Sequence, residues 1–478
     1  MDDRTPVLIG IGTVTDRDGG RDAIEVMAGA LESAVADSGC ARVLASVDRV
    51  LVPRGTWTHA DPGRALAERF GMGTVRTTLA ELGVLQSTLI AAAAASIAAG
   101  DAEVVVVVGG EAAATARRAG AISQPLPGAA GEGAPPDEVL VPQGRIVSEL
   151  EIARGFWTPA HQYALIERSL GRSPESLNET WASWSRVAAA NPEAWRRDAY
   201  TPGELAWGAA GNPPVAHPYG RRHCSQMNVD QAAALILVSA ATARSLGVSR
   251  DRWVFPWAVA ESNLMVPLPE RADPGRSPGF AAVARALHEA TGTTIGEIDL
   301  VDLYSCFPSA VEVQRREFGF AADRVLTVTG GMSFAGGPFN NYVLQSTAAM
   351  ARRLRERPGA VGLVTAISGM ITKQGGALWS TEPRGDGYVS LDATAAAEAA
   401  TVLAPIVADP ESAAGPATVV TSTVVAGPGA ARTWALVDLA VDGRTLVASD
   451  DPEVADAWSA DAALGSTVDV RGSAFAPA

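Results

Sequence analysis

The sequence predicts an α/β protein with two similar halves, a long insertion and a small all-β domain at its end. Three observations support this. Helical patterns alternate with short β-branched runs, which is typical of helices packed on parallel strands. The order helix, strand, helix, strand occurs once before residue 110 and again after residue 278, as expected of a duplicated domain. The composition changes near residues 119 and 395, where the alternation stops.

The N-terminal half is predicted to cover residues 1–258, including the insertion. Its expected strands are residues 7–11, 47–52 and 104–108, and its expected helices are residues 23–38 and 87–99. Gly39 is the predicted C-cap of the first of these helices. The strand at 104–108 consists entirely of valine, so we expect it to be covered on both faces.

The C-terminal half is predicted to cover residues 259–395. Its expected helices are residues 278–290 and 343–355, and its expected strands are residues 298–303 and 361–366. Residues 231–239 return the chain from the insertion, and their apolar run fits either a helix or a buried strand.

The inserted segment, residues 119–218, is rich in proline and glycine and contains five tryptophans. A segment of this length is rarely a plain loop, so we expect a mostly helical, lid-like subdomain. Residues 396–415, rich in alanine, proline and acidic residues, form a predicted linker. Short β-like runs follow in residues 416–478, which favours a small five-stranded barrel of the OB kind.

Charge and composition exclude several classes of function. The formal net charge of −15 repels nucleic acid and anionic lipid, so we expect neither as a partner. The three cysteines share no metal-ligand spacing, and we expect no metal site and no disulfide framework. The longest apolar runs are interrupted at Gly100 and Asp101, which argues against a membrane span. The acidic start lacks a signal-peptide pattern, so a cytoplasmic protein is expected.

Three glycine-marked or strand-end segments carry the chemistry. They are the Tyr304 segment (Tyr304-Ser305-Cys306-Phe307), the Gly330 segment (residues 330–338) and the Ser368 segment (residues 368–376). We expect all three at the ends of predicted strands, at the edge where open α/β sheets bind ligands.

These segments resemble motifs of the thiolase superfamily over roughly the first 385 residues. The Tyr304 segment stands where sterol-carrier-protein thiolases have His-Asp-Cys-Phe. The Gly330 segment resembles their Gly-Gly-x-x-x-x-Gly-His-Pro loop, with Gly337 in place of histidine. Residues 228–234 resemble the Asn-Asp-Gly-Ala-Ala segment. The extra β domain resembles that of actinobacterial thiolase-like proteins of the first type. The resemblance implies the layered αβαβα thiolase fold.

The positions that carry thiolase activity differ. The best register places Gly83 at the nucleophilic cysteine, and the Ser368 segment lacks the acid–base cysteine. A thiolase holds the acyl group on a thiolate, so the usual covalent route is missing. Ser87 and Thr88 follow closely, but we expect them on the helix, one turn too far along to replace the nucleophile.

The resemblance nevertheless implies a coenzyme A thioester as ligand, with no covalently bound cofactor. Cleavage or formation of a carbon–carbon bond needs only a base and an oxyanion site, and some thiolase-fold aldolases use tyrosines for it. Tyr304, Cys306 and Tyr342 are therefore the candidate catalytic residues. The candidate pocket residues are Gly83, Phe307, Gly336, Gly337, Asn340 and Lys373. We expect the glycines at 83 and 337 to enlarge the cavity.

Each of these residues also has a structural interpretation. Cys306 fits a buried packing residue equally well, and Tyr304 fits a side chain that fills the vacated cysteine site. Asn340 or Asn341 fits a helix N-cap, and Lys373 fits a solvated lysine.

Two further functions therefore stay open. One is a non-catalytic acyl-CoA or lipid-binding or scaffold protein. The other is an acyltransferase that uses Cys306. Either a homodimer or a monomer fits the sequence.

Overall fold

The computed structural model describes residues 1–120, 133–427, 429–441, 443–460 and 463–478. The first half begins with alternating strands and helices, close to the predicted positions. They are β1 Pro6–Thr15, α1 Ala23–Ser38, β2 Arg49–Pro53, α2 Pro62–Phe70, β3 Arg76–Ala80, α3 Gln86–Ala99, β4 Val104–Ala112 and α4 Ala113–Arg118. A capping box between Asp22 and Glu25 starts α1, and Gly39 ends it with a left-handed φ of 69°.

The inserted segment contains mainly helices, although residues 121–132 of it lie outside the described residues. Its elements are β5 Glu138–Leu140, α5 Glu149–Ala153, α6 Pro159–Ser169, α7 Pro174–Ala190, α8 Pro202–Leu205, β6 Pro214–Ala216 and β7 Tyr219–Gly220. Trp181 and Trp184 on α7 are buried and stack on each other, whereas Trp157 is exposed. The tryptophans of the insertion thus serve only partly as its core.

Residues 231–239 form a strand, β8 Asp230–Ser239, followed by α9 Ala240–Ser245. In the described chain the first sheet has the order β1-β8-β4-β2-β3-β5. Strand β8 runs antiparallel to β1 and β4, while β2, β3, β4 and β5 pair in parallel. The sheet is mixed rather than wholly parallel, and β8 is buried because it lies inside it.

The second half repeats the arrangement. Its elements are β9 Phe255–Ser262, α10 Pro278–Thr291, β10 Leu300–Asp302, α11 Pro308–Phe318, α12 Tyr342–Arg355, β11 Val361–Ser368, β12 Lys373–Ser380, β13 Val389–Asp392 and α13 Thr394–Ala400. The second sheet has the order β10-β11-β12-β9-β13 among the described strands. The predicted boundary at residue 258 falls inside β9. The Ser368 segment is a tight turn followed by the start of β12.

Five layers result, and they confirm the predicted αβαβα thiolase fold. Helices α3 and α12 lie between the two sheets, α1 covers the outer face of the first sheet, and α10 covers the second. The valines of β4 show why both faces are covered. Val104 and Val106 pack in the core beneath α1, whereas Val105 and Val107 pack in the central core.

The last part of the chain confirms the predicted small β domain. Its elements are β14 Ala414–Val425, β15 Arg432–Leu439, β16 Gly443–Ser449, α14 Pro452–Ala460, β17 Thr467–Arg471 and β18 Ala474–Pro477. Within the described ranges, five strands close a barrel in the order β14-β15-β16-β18-β17, and β17 pairs with β14. Helix α14 was not predicted.

Two buried arginines attach the barrel to the rest of the protein. Arg154, the residue after α5, donates to the Leu446 carbonyl oxygen at 3.1 Å and to the Pro410 carbonyl oxygen at 2.8 Å. Arg444 of β16 donates to the Arg271 carbonyl oxygen in the loop after β9. Of the helices in the described ranges, none is both long and apolar enough to cross a bilayer.

Candidate functional site

The Tyr304 segment lies between β10 and α11, beside the turn that ends β11. The Tyr304 backbone N–H donates to the Thr365 hydroxyl at 2.8 Å, and the Gln314 amide donates to the Tyr304 carbonyl oxygen at 2.8 Å. Both bonds are buried, so the segment is held rigidly against the second sheet.

The structure brings the three segments together. The Met332 backbone N–H of the Gly330 segment donates to the Ser305 hydroxyl at 3.0 Å. Tyr163 of α6 contacts the Ser368 segment, because its hydroxyl donates to the Gly369 carbonyl oxygen at 3.1 Å. The spatial grouping expected from strand ends is therefore present.

Tyr163 is a site residue that the sequence did not indicate. Its ring stacks on Phe307 with centroids 4.6 Å apart, and its hydroxyl interacts with the Cys306 thiol. No motif surrounds Tyr163, and only its position in the inserted segment, which folds over the strand ends, could have pointed to it. Phe307 also stacks near Tyr219, so its ring packs between two tyrosines.

Tyr304 is buried and lies edge-on to Tyr342, with ring centroids 5.8 Å apart. Burial raises the pKa of Tyr304 above the ordinary value, and interaction with the Gln86 amide lowers it in part. Burial likewise raises the pKa of Tyr163 well above its ordinary value. Both hydroxyls therefore stay neutral and act as hydrogen-bond donors.

Cys306 is partly exposed as a residue, but its thiol is desolvated. This burial raises the pKa of Cys306 to about 12, while the Tyr163 hydroxyl lowers it in part. The thiol is therefore protonated at neutral pH, which removes the property that makes a cysteine a nucleophile. Cys306 follows β10 and precedes α11, and it does not stand at the start of α3.

Gly83 lies in the turn between β3 and α3, is buried and has a φ of 98°. A Cβ atom added there would lie 2.8 Å from the Pro142 Cβ atom and 3.5 Å from the Ile146 Cδ1 atom. Ile146 also faces Gly369, where an added Cβ atom would lie 2.8 Å from its Cγ2 atom. The inserted segment thus covers the position matched to the thiolase nucleophile.

The other two pocket glycines are also closely packed. A Cβ atom at Gly336 would lie 1.9 Å from the Gln231 Oε1 atom, and one at Gly337 would lie 2.1 Å from the Ser225 hydroxyl oxygen. The expectation that Gly83 and Gly337 enlarge the cavity was therefore wrong, because neighbouring side chains occupy the space that a larger residue would fill.

Tyr342 begins α12, and its hydroxyl points toward β10. It lies 2.7 Å from the Thr329 hydroxyl and donates to the Asp302 carboxyl at 3.2 Å. Burial raises the pKa of Asp302 to about 7, although these hydroxyls lower it in part. The ring of Tyr342 thus packs against the ring of Tyr304, while its hydroxyl is hydrogen-bonded to Thr329 and Asp302.

The N-terminus of α12 is capped from the other half of the protein. The Gln86 side chain accepts from the Val343 backbone N–H at 2.7 Å and donates to the Asn340 side-chain oxygen at 3.4 Å. Asn341 occupies the N-cap position, yet its side chain makes no cap bond. The Asn340 Nδ2 atom and both polar side-chain atoms of Asn341 are buried without a partner among the described residues.

Lys373 lies in β12 and is only 2% exposed, so the expectation of a solvated lysine was wrong. Burial lowers the pKa of Lys373, and the nearby Glu261 carboxyl raises it in part. Glu261 accepts hydrogen bonds from Ser87 and from Thr88, at 2.9 Å from the latter. Both hydroxyls lie on α3, as expected, and this polar group joins α3 to the second sheet.

Within the described ranges, no group of three or more His, Cys, Asp or Glu side chains could hold a metal ion.

Comparison with known proteins gives structural relatives only. No family model and no curated protein matches the sequence. A monomeric SCP2-thiolase like protein type 1 from Mycobacterium smegmatis is similar over 100% of both chains, with a TM-score of 0.83 and 28% identity.

Two further structures share the fold of the thiolase body. An Ltp2-ChsH2(DUF35) aldolase has a TM-score of 0.62 at 21% identity, covering 79% of this chain and 98% of that one. An acetyl-CoA acetyltransferase from Syntrophomonas wolfei has a TM-score of 0.57 at 16% identity, covering 80% of this chain and 100% of that one. With the five-layered body and the added barrel, these similarities show that the chain has the thiolase fold and is similar along its full length to an SCP2-thiolase like protein type 1.

Proposed function

We propose that this protein binds an acyl thioester where its two halves meet and cleaves or forms a carbon–carbon bond without an acyl-cysteine. The observation that supports this most directly is the grouping of two neutral tyrosine hydroxyls, Tyr163 and Tyr304, around a protonated Cys306. A thiolase has a nucleophilic thiolate at the position matched to Gly83. This chain instead has Gly83 covered by the inserted segment, with hydrogen-bond donors nearby.

Such donors suit retro-aldol chemistry. A β-hydroxyacyl thioester loses its hydroxyl proton to a base, the bond between the α and β carbons breaks, and its electrons form the thioester enolate. A ketone or aldehyde leaves, and the α carbon takes up a proton, so protons balance over the cycle. The enolate oxygen is the atom that hydrogen-bond donors stabilise, and no covalent enzyme intermediate is needed.

In this proposal Tyr304 donates to the thioester oxygen, and Tyr163 supplies a second donor after leaving the Gly369 carbonyl oxygen. Tyr342 is a positioning residue, since its hydroxyl is engaged by Asp302 and Thr329. The coenzyme A part of the ligand belongs to the same proposal. The related Ltp2-ChsH2(DUF35) protein is an aldolase, which favours this class of reaction. The related type 1 protein is monomeric, and we propose the same state here.

The test is incubation with a series of β-hydroxyacyl-CoAs, with ketone or aldehyde release as the readout. We expect Tyr304→Phe to lower kcat by about tenfold to a thousandfold with little change in KM, because it removes a donor used in the transition state. Tyr388→Phe is the matched control, since the Tyr388 hydroxyl pairs with Ser390 away from the site. Turnover that is unchanged in Tyr304→Phe would contradict the role of Tyr304. If no substrate of the series is turned over, the proposal that the protein is an enzyme is contradicted.

One observation favours a second candidate, a non-catalytic acyl-thioester-binding protein. Pro142 and Ile146 lie over Gly83, so the acyl position is closed in this conformation. Calorimetry with acetyl-CoA separates the two candidates. Suppose that acetyl-CoA binds, that it binds more tightly to Ile146→Gly, and that no β-hydroxyacyl-CoA is turned over. This result would support the non-catalytic binding protein and argue against the lyase.

A further inference from the structure

The hydroxyl of Tyr219 lies where the inserted segment meets the second half of the protein. Tyr219 begins β7 and is fully buried. Its oxygen lies 2.8 Å from the Glu167 carboxylate of α6 and 2.8 Å from the Ser309 hydroxyl of α11. One phenol oxygen therefore contacts two helices that belong to different halves.

The direction of the bond to Glu167 follows from the groups present. Arg172 donates to both oxygens of the Glu167 carboxylate at 2.9 Å, and a carboxylate only accepts hydrogen bonds. Tyr219 therefore donates its one proton to Glu167. Burial raises the pKa of Tyr219 well above its ordinary value, so the hydroxyl keeps this proton at neutral pH.

The same oxygen caps α11. The Ser309 backbone N–H donates to the Tyr219 oxygen at 3.1 Å. This N–H belongs to the first turn of α11, where the helix itself offers no acceptor, and Phe307 at the N-cap position makes no side-chain cap bond. The helix that follows the Tyr304 segment is thus capped by a residue of the other half.

The Ser309 side chain connects this cap to Tyr163. Its hydroxyl donates to the Tyr163 carbonyl oxygen at 3.0 Å. Tyr163 and Glu167 are four residues apart, so they lie on the same face of α6. Tyr219 and Ser309 together hold the turn of α6 that carries the Tyr163 side chain, and they hold it against the start of α11.

Other contacts keep α6 in place independently of Tyr219. Arg316 of α11 donates to the Leu170 carbonyl oxygen directly after α6 at 3.2 Å, and Thr421 of the barrel donates to the Leu165 carbonyl oxygen at 2.6 Å. Removal of the Tyr219 hydroxyl would therefore leave the helix docked. It would loosen only the turn around Tyr163, next to the Tyr304 segment.

We propose that Tyr219 is a positioning residue, whose hydroxyl sets the place of Tyr163 relative to Cys306. A shift on the order of 0.5–1 Å is enough to weaken the effect of a hydrogen-bonding group on a reaction. The consequence for catalysis rests on the proposed function, in which Tyr163 is one of two donors. The placement itself is measurable in the protein without ligand.

The S–H stretching band of Cys306 in Raman spectra measures the placement. Tyr163 donates its proton to the Gly369 carbonyl oxygen, so its oxygen accepts from the Cys306 thiol. A donated hydrogen bond lowers the S–H frequency, and the difference from Cys306→Ala assigns the band. We expect Tyr219→Phe to raise this frequency by most of the shift seen in Tyr163→Phe. A band that Tyr219→Phe leaves unmoved would overturn the proposal.

Kinetics with a β-hydroxyacyl-CoA measure the consequence for catalysis. We expect Tyr219→Phe to lower kcat by about tenfold to a hundredfold with little change in KM, because it misplaces a group used in the transition state. A shifted S–H band with wild-type kcat would contradict the positioning role. Absence of turnover by the wild type would contradict the proposed function, and the Raman result would still decide the placement.

Tyr200→Phe is the matched control. Tyr200 also belongs to the inserted segment, but its hydroxyl reaches only the exposed Asp198, at 3.5 Å. This variant should leave kcat, KM and the S–H band unchanged.

Ser309→Ala tests the proposal even if Tyr219→Phe fails to fold. It removes the donor to the Tyr163 carbonyl oxygen and keeps the bonds of the Tyr219 hydroxyl to Glu167 and to the backbone N–H of residue 309. We expect the S–H band to move in the same direction as in Tyr163→Phe, with a lower kcat. An unmoved band in Ser309→Ala would contradict the connection between α11 and Tyr163.

Discussion

The Gln86 side-chain oxygen accepts a hydrogen bond from the Val343 backbone N–H over 2.7 Å. Gln86 begins α3 in the first half, and Val343 lies in the first turn of α12 in the second half. The first N–H groups of a helix have no partner within the helix, so they need one from elsewhere. Here one half of the protein caps the central helix of the other, directly beside Tyr304.

We expect Gln86→Leu to lower the free energy of unfolding by about 1–3 kcal/mol. The substitution leaves the buried Val343 N–H without an acceptor, and an unpaired buried donor costs this much. Urea denaturation followed by circular dichroism measures the change. Gln143→Leu, at an exposed glutamine, is the control and should have little effect. Equal stability of Gln86→Leu and the wild type would show that the bond between the halves contributes nothing.

Cys306 should resist alkylation in the folded protein. Burial raises its pKa to about 12, so at about pH 7.5 its thiolate fraction is roughly three orders of magnitude below that of a free cysteine. Peptide mass spectrometry after iodoacetamide treatment measures this, and the same treatment of the unfolded protein is the control. Rapid labelling of native Cys306, or its acylation by acetyl-CoA, would instead support the acyltransferase alternative.

Asp302 gives a prediction on pH dependence. Its carboxyl is fully buried, and its pKa rises from 3.8 to about 7 on folding. Between about pH 4 and pH 7 the unfolded chain has released this proton while the folded protein retains it, so a rise in pH favours unfolding. The stabilisation is complete below about pH 4 and is lost once the pH passes about 7.

Asn at this position cannot ionise, so Asp302→Asn should become more stable relative to the wild type as the pH rises through this window. The gain should be on the order of a few kcal/mol and should level off above about pH 7. Urea denaturation at several pH values measures it, with Asp323→Asn at an exposed aspartate as the control. A stability difference that is flat across the window would mean that folding leaves the Asp302 pKa unchanged.

Local patterns predicted most of the fold, because periodicity and caps act within a few residues. Helix α1 has the predicted bounds, since its capping box and Gly39 are both sequence signals. The run at 231–239 was ambiguous because an apolar segment buried on all sides has no periodicity. Strand β12 was missed because its start, Lys373-Gln374-Gly375-Gly376, has the composition of a loop and becomes a strand only by pairing between β11 and β9.

The candidate site was predictable only in part, for a similar reason. Tyr304 and Cys306 follow a strand and belong to a motif. Tyr163, by contrast, reaches them from a helix of the inserted segment about 140 residues earlier in the chain. Nor could the sequence show that Pro142 and Ile146 lie over Gly83, since this contact depends on where the insertion folds back. Contacts between distant segments were therefore the part that the sequence did not reveal.

The contact between Gly83 and Pro142 can be separated from the backbone strain at Gly83. Gly83→Ala should destabilise the protein by about 2 kcal/mol or more, because a φ of 98° disfavours any side chain and the new Cβ atom would lie 2.8 Å from Pro142. Pro142→Gly removes the atoms that this Cβ would meet. In a double-mutant cycle, the steric part of the Gly83→Ala destabilisation should therefore appear as a favourable coupling of about 0.5–3 kcal/mol. The part that comes from the backbone strain should remain in the double variant. Strictly additive effects would mean that the inserted segment does not cover Gly83 in solution, and the acyl position would then be open to ligand without any movement of residues 142–146.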